Sequence, residues 1–405
     1  MNRKVIVIGH GFTSRLSVIR SVAAIGCKVT VIVMTGYKRD GKTLDTKKPI
    51  DCYSKYVSQV FYCKRNDGEG LVRLLLDKCV DANQKPILIP DTDHTAATID
   101  MNQEKLKDYF LFPHINHQAG AVVHWMDKVN QKELARQLGL NVASATVIDI
   151  VNGKYEIPDS IKYPCYSKPL STFVAGKGGM RRCDNANELA SALDFVVKYR
   201  TPNAKVLVED YKEIETEYAT LGFSDGKNVI IPGVLQIITV SKQNRGIARQ
   251  GKVLPVDGFE SLIEKFKKLV AAIGFVGIFD IDFYKCNGVL YFCELNLRFG
   301  GSGYAFTKMG VNLPAMLVRH LCCESIEDMN QVITGIATYT NERMLMDDYS
   351  QGYLSLKEYN VCVTSDICFV KDDDDPKPQK KYQNAILGIK IRWCVKRIAK
   401  LLGLR

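Results

Sequence analysis

The sequence predicts an α/β protein that opens with a small doubly wound domain, and three observations carry that expectation. A strand–helix–strand succession occupies residues 4–33, strands and helices keep alternating to about residue 325, and two apolar strands flank an Asn-Gly turn at 287–288. In the first segment, Val-Ile-Val-Ile after Lys4 reads as a buried strand, followed by Gly9-His-Gly11 and an amphipathic stretch to Ile25. Gly26 ends that helix, and Lys28–Val33 forms the second strand, so the unit is a parallel βαβ. A further strand, Pro86–Pro90, leads into Asp91-Thr-Asp93, and residues 1–115 form one doubly wound domain. The Gly9-x-Gly11 turn has neither a third glycine, since position 14 is Ser, nor an acid after Val33-Met34-Thr35. It is therefore read as a structural turn or a secondary substrate contact, not a dinucleotide site.

Later elements follow the same logic. Asp127-Lys128 starts a helix closed by Gly139, and strands follow at 141–148 and Tyr163–Pro169. Residues 171–179 form a glycine-rich loop, and a helix at 186–199 precedes the strand Lys205–Glu209. Strands near 215–223, 228–240 and 246–250, a helix at 259–273, the hairpin and a helix at 311–322 complete this region. Residues 334–370 read as short strands with turns, and 371–381 as a solvated polar linker with four consecutive Asp.

Composition is that of an ordinary globular protein, with 46% hydrophobic and 24% charged residues. No stretch approaches the roughly 20 apolar residues needed to span a bilayer, and the N-terminus enters a strand without a signal-peptide pattern. The 13 cysteines form no Cys-x-x-Cys pair, and Cys27, Cys293 and Cys362 read as buried thiols in a reducing, cytoplasmic setting. Of the net charge of +11, six positive charges (Lys390, Arg392, Lys396, Arg397, Lys400 and Arg405) sit in the acid-free segment 384–405. That distribution argues against nucleic acid as a partner.

The hairpin carries the chemistry. Glu294 and Asn296 share one face of a strand, because side chains alternate with period 2, and Asp282 stands across the turn. Three hard-oxygen groups suit Mg²⁺ held by few carboxylates plus substrate phosphates, and Arg298 follows at the next same-face position, within reach of a phosphoryl oxygen. Lys168 on a strand precedes the loop Gly176-Lys177-Gly178-Gly179, whose backbone can approach phosphates closely. Lys128 stands at a helix start, and Glu209 ends a strand before Asp210-Tyr211-Lys212, Glu215 and Glu217. Each alone reads as readily as a surface ion pair; their order is the signal.

That order resembles the ATP-grasp superfamily over residues 1 to about 325. The resemblance implies a pre-ATP-grasp domain (1–115) followed by an ATP-grasp fold of two α+β lobes at 116–330. The lid lobe covers about 140–208 and the catalytic lobe about 209–330. It implies ATP held by Lys128, Lys168 and the lid glycines, an adenine edge at Glu209–Lys212, and a ribose contact from Glu215, preferred to Glu217. Asp282, Glu294 and Asn296 would hold Mg²⁺ or Mn²⁺, with Arg298 and Lys177 acting on phosphoryl groups. Leu297 stands where the family often has Pro. The single-chain architecture and the Asp-Asp-Pro-Lys-Pro378 run look most like carboxylate–amine ligases of the D-aspartate ligase kind. Such enzymes join a small-molecule carboxylate and an amine through an acyl phosphate; a carboxylase or kinase on the same body, or a non-catalytic nucleotide binder, are the alternatives. Arg245 and Arg249 are candidates for a substrate carboxylate from charge alone. Beyond the catalytic body lie a short-strand extension (331–370), an acidic linker (371–383) and a basic amphipathic helix (384–405). That helix suits either an anionic membrane surface or packing on the body or a second subunit.

Overall fold

The computed structural model describes residues 3–170, 180–199, 203–244 and 246–401. The first sheet comprises β1 (Lys4–Gly9), β2 (Lys28–Thr35), β3 (Val57–Lys64) and β4 (Ile87–Pro90), in the order β3-β2-β1-β4 and all parallel. Val5 and Val7 face one core and Ile6 and Ile8 the other, as a sheet covered on both sides requires. The covering helices include α1 (Phe12–Ala23), α2 (Gly68–Lys78) and α3 (Asp93–Met101).

After β5 (His114–Ile115) and α4 (Lys128–Gln137), a second sheet forms from β6 (Ala145–Ile150), β7 (Cys165–Pro169), β8 (Arg181–Cys183) and β9 (Ala204–Asp210). Its order is β6-β9-β7-β8, with α5 (Ala186–Tyr199) packed on it through Leu189, Leu193 and Val196. The third sheet is built on β10 (Thr216–Asp225), β11 (Val229–Ile230), β12 (Val234–Val240), β13 (Ala248–Leu254), β14 (Phe275–Cys286) and β15 (Val289–Asn296). The helix α6 (Glu260–Ile273) fills one side with Ile263, Phe266 and Val270, and α7 (Leu313–Leu321) the other with Met316 and Leu317. Phe299 and Phe306 share a core with Val5 and Val7, so the first domain packs directly on the third sheet.

Two expectations are corrected. Residues 334–370 contain helices as well as strands: β16 (Ala337–Thr340), α8 (Glu342–Ser350), α9 (Leu356–Cys362) and β17 (Ile367–Cys368). The helix starts are legible locally, since Asn341 caps Met344 and Ser355 forms a capping box with Glu358. β16 pairs with β13, so this extension continues the third sheet. The acidic run is likewise no solvated tether. Asp375 is fully buried, accepts from Arg20 Nε at 3.1 Å and from the Lys55 N–H at 2.9 Å, and precedes α10 (Pro376–Leu401) directly. Tyr382, Ile386 and Ile389 of α10 pack on the body, whereas Leu387, Ile391 and Val395 are exposed. No helix among the described residues is long and apolar enough to cross a membrane.

Candidate active site

The hairpin turns at Asn287 and Gly288, both with positive φ, as an Asn-Gly two-residue turn requires. Asp280, Asp282 and Tyr284 line one face of β14, while Phe279, Ile281 and Phe283 enter the core on the other. Asp280 lies opposite Asn296 and Asp282 opposite Glu294. One residue later the register shifts, because Phe283 faces Phe292 and leaves Cys293 as a β-bulge. Phe292 and Leu295 are therefore both core, and Cys293 and Glu294 both reach the cleft. Cys293 is thus half-buried, 3.9 Å from Lys168 Nζ, and not the interior thiol the sequence suggests.

Asn296 Nδ2 donates to Asp282 Oδ2 at 3.4 Å, and Glu294 is ion-paired with Lys128. Asp280, absent from the candidates the sequence offers, precedes Asp282 by two residues and shares its face. Burial first, and the neighbouring Asp282 second, push its carboxyl well above the usual range, against the pull of Arg298. Its Oδ1 is buried without a hydrogen-bond partner among the described residues. A Cβ at Gly300 would meet Asp280 Oδ2 at 2.2 Å, so a larger residue there would displace that carboxylate. No group of three His, Cys, Asp or Glu side chains that could hold a metal occurs among the described residues. The set of Asp282, Asn296 and adjacent carboxylates fits a cation that draws further oxygens from phosphates.

The lysines come from two elements. Asp127 caps α4 by accepting from the Val129 N–H at 2.7 Å, which sets Lys128 on the first turn facing Glu294. One turn on, Lys132 reaches Glu209 at 2.5 Å, and Lys168 of β7 reaches the other oxygen of Glu209 at 2.5 Å. Burial opposes the ionisation of Glu209, but Lys168 and Lys132 outweigh it and hold the carboxyl below its ordinary value. Lys128 is lowered, chiefly by burial and further by Lys168, against Cys293, Asp93 and Asp282. Lys168 is raised, because Cys293 and Glu209 more than offset its burial. Lys132 was missed; its i+4 spacing from Lys128 on one helix face was the available signal.

Several expected contacts are rearranged. Glu209 is engaged by two ammonium groups, and the backbone N–H groups of Asp210 and Tyr211 already donate to Ser144 and Pro164 at 2.9 and 3.1 Å. Arg182 lies over the Tyr211 ring at 4.5 Å, and Lys212 over Tyr291 at 5.7 Å. Glu215 accepts from the Gly288 N–H at 3.1 Å, closing the hairpin turn. Glu217 lies opposite Tyr284 on the face of Asp282, and burial and Asp282 raise its carboxyl. Glu217, and not Glu215, thus shares the face of Asp282. Arg249 is corrected as well: it is buried and paired at 2.8 Å with Asp348, which also accepts from Ser241, Lys242 and Gln243. Arg298 is ringed by acceptors, with Asp93 at 2.9 Å, Asn296 at 3.3 Å and Asp280 at 3.6 Å. Gly176, Lys177, Gly178, Gly179 and Arg245 lie outside the described residues.

The architecture matches solved structures along most of its length. The biotin carboxylase domain of Hydrogenobacter thermophilus 2-oxoglutarate carboxylase, solved with MgADP and bicarbonate, superposes with a TM-score of 0.62 at 20% identity, covering 84% of this chain and 74% of that one. An L-amino acid ligase from Bacillus licheniformis gives 0.59 at 17% identity, over 83% and 79% of the two chains. In sequence, the carbamoyl phosphate synthase large chain of Agathobacter rectalis is 24% identical over 204 residues, 49% of this chain and 18% of that protein. The chain thus spans under a fifth of that relative's length. No protein-family model matches. The chain has the fold of the ATP-grasp superfamily, whose members here are ligases and carboxylases.

Proposed function

We propose that this protein is an ATP- and Mg²⁺-dependent carboxylate–amine ligase that forms an amide through an acyl phosphate. The observation that carries the reading is the convergence of Lys128, Lys132 and Lys168 with the Asp282–Asn296 hairpin between the second and third sheets. Lys128 and Lys168 bind phosphate oxygens, Lys132 keeps Glu209 and through it Lys168 in place, and Glu217 is the ribose-hydroxyl contact. Asp282, Glu294 and Asn296 hold the metal, which supplies charge neutralisation at the transferring phosphoryl group when bound. The rest is positioning of the in-line oxygens.

In the first step a substrate carboxylate oxygen takes the γ-phosphoryl group and ADP leaves. In the second the amine nitrogen attacks the acyl carbon, the carbon–oxygen bond to phosphate breaks, and the amine's protons pass to phosphate and solvent. The test is ADP release with amino-acid pairs, one partner labelled with ¹⁸O in its carboxylate. The reading requires an amide product and one ¹⁸O in the released phosphate. ADP release that depends on bicarbonate alone would instead make the protein a carboxylase.

The outer face of α10 carries a separate proposal. Exposed Leu387, Ile391 and Val395 beside Arg392 form an apolar and basic surface suited to peripheral contact with anionic lipid, while Trp393 lies against Gly352 and Lys390 over Tyr359 of the body.

A further inference from the structure

The Gly9-His-Gly11 turn takes no part in the arrangement above, yet the groups around it form a second polar crevice. β1 and β4 are neighbours in the sheet, but the chain visits β2 and β3 between them, so their carboxyl ends flank a topological switch point. Asp91, the first residue beyond β4, turns its carboxylate over Gly9, where a Cβ would sit 1.3 Å from Oδ1. Asp91 is 8% exposed, and neither oxygen has a hydrogen-bond partner among the described residues. A carboxylate so placed is costly without a donor. Arg15 cannot serve, because its guanidinium is committed to Asp51 and to the Gly9 carbonyl.

The opposite wall is positive. α1 begins beside Gly11 without a side-chain cap, whereas the neighbouring α3 is closed by the Thr92–Thr95 capping box. The first-turn N–H groups of α1 are therefore open to an anion. A point one Cβ away from Gly11 lies 3.3 Å from Ser14 Oγ, 3.4 Å from an Arg343 nitrogen and 3.7 Å from Asp91 Oδ2. Arg343 is oriented by donating to the His10 carbonyl at 3.3 Å and by pairing through Nε with Asp347 at 3.7 Å, which leaves its other donors for a ligand. Burial first, then Arg65 and Arg343, lowers His10 to about 4, so its ring is neutral near pH 7.

A lone anion in this crevice would face Asp91, and a lone amine would face Arg343. A ligand carrying both charged groups on one carbon satisfies both walls. We propose that the crevice binds a free α-amino acid, with its ammonium on Asp91 and its carboxylate on Arg343 and the open N-terminus of α1. That this amino acid is the amine partner of the ligase rests on the reading above; the binding itself does not. Asp93, two residues beyond Asp91, accepts from Arg298, which in turn meets Asp280 of the hairpin, so the crevice and the hairpin are linked through one guanidinium.

The test is calorimetric titration of the full chain, without nucleotide, against individual L- and D-amino acids. The N-acetyl and carboxamide forms of each ligand found are then titrated in turn. Binding should weaken at least tenfold when either end is blocked, and at least tenfold in both Asp91→Asn and Arg343→Gln. If Asp91→Asn does not fold, Arg343→Gln decides, since that side chain is 26% exposed. No binding of any amino acid, or binding indifferent to blocked ends or to the variants, overturns the proposal. Because ATP is absent, failure to form an amide would sink the ligase reading alone. Amide formation with unchanged amino-acid affinity in Asp91→Asn would sink the crevice alone.

Discussion

Arg298 Nε donates to Asp93 Oδ1 at 2.9 Å, joining the candidate metal hairpin to the first turn of α3 in the first domain. The same guanidinium meets Asn296 and Asp280, so one planar fork sets the distance between two parts of the fold. Arg298→Lys keeps the charge but cannot reproduce the fork. ATP turnover, measured as ADP release, should fall about a hundredfold, roughly 2.7 kcal/mol in barrier, while urea unfolding stays cooperative. Near-normal turnover in this variant would contradict the role.

Glu294→Gln and Asn296→Ala should each abolish Mg²⁺-dependent ATP turnover without unfolding the chain. Both side chains are half-buried at the cleft, so their loss opens no core cavity. Wild-type rates at saturating Mg²⁺ in either variant would remove the metal assignment.

Glu209→Gln leaves Lys132 and Lys168 facing a neutral amide in a buried site. Breaking such a pair costs about 3 kcal/mol, to be read from the urea midpoint. Adding Lys132→Met to the same chain should recover part of the loss, because an unpaired ammonium is replaced by an apolar side chain of similar length. A double variant no more stable than the single one would argue against the pair.

Burial raises Asp91 to about 6, with Arg15 and Arg298 pulling the other way. A carboxyl whose folded value lies above its unfolded one, near 4, stabilises the fold fully below pH 4. That contribution is lost as pH rises through 6, and amounts to at most on the order of 3 kcal/mol. Thermal denaturation across this window should show stability declining in the wild type and a flatter profile in Asp91→Asn. Parallel profiles would place the titration elsewhere.

A chain ending at Asp375 loses the packing of Tyr382, Ile386 and Ile389 and the Tyr382 bonds to Tyr359 and the Glu342 carbonyl. It should melt at a lower temperature than the full chain. Exchanging Leu387, Ile391 and Val395 together for Gln should leave stability within roughly 0.5 kcal/mol per site. The same exchange should stop sedimentation with anionic liposomes at low salt. If the unaltered chain itself stays in the supernatant, the membrane contact is wrong.

By itself, the sequence determined what short-range periodicity controls. The runs Val5–Ile8 and Lys28–Thr35 are apolar on both faces and flank an amphipathic helix, which suffices for a parallel βαβ. Alternation puts Glu294 and Asn296 on one face, and the Asn287-Gly288 turn makes the hairpin. The unshifted register would set Asp282 opposite Cys293, however, so it is the bulge at Cys293 that brings Asp282 beside Glu294. Tertiary structure alone decided which charges meet. Glu209 finds Lys132 and Lys168, and Arg249 finds Asp348, only because separate elements fold onto one another. The Cys293 bulge depends on Phe292 and Leu295 both being drawn into the core, which no alternating pattern shows. Asp375 reads as solvated among its acidic neighbours until Arg20 of α1 is placed beside it. The physical reason is range: backbone periodicity is written in neighbouring residues, whereas an ion pair's partner is chosen by the packing of distant surfaces.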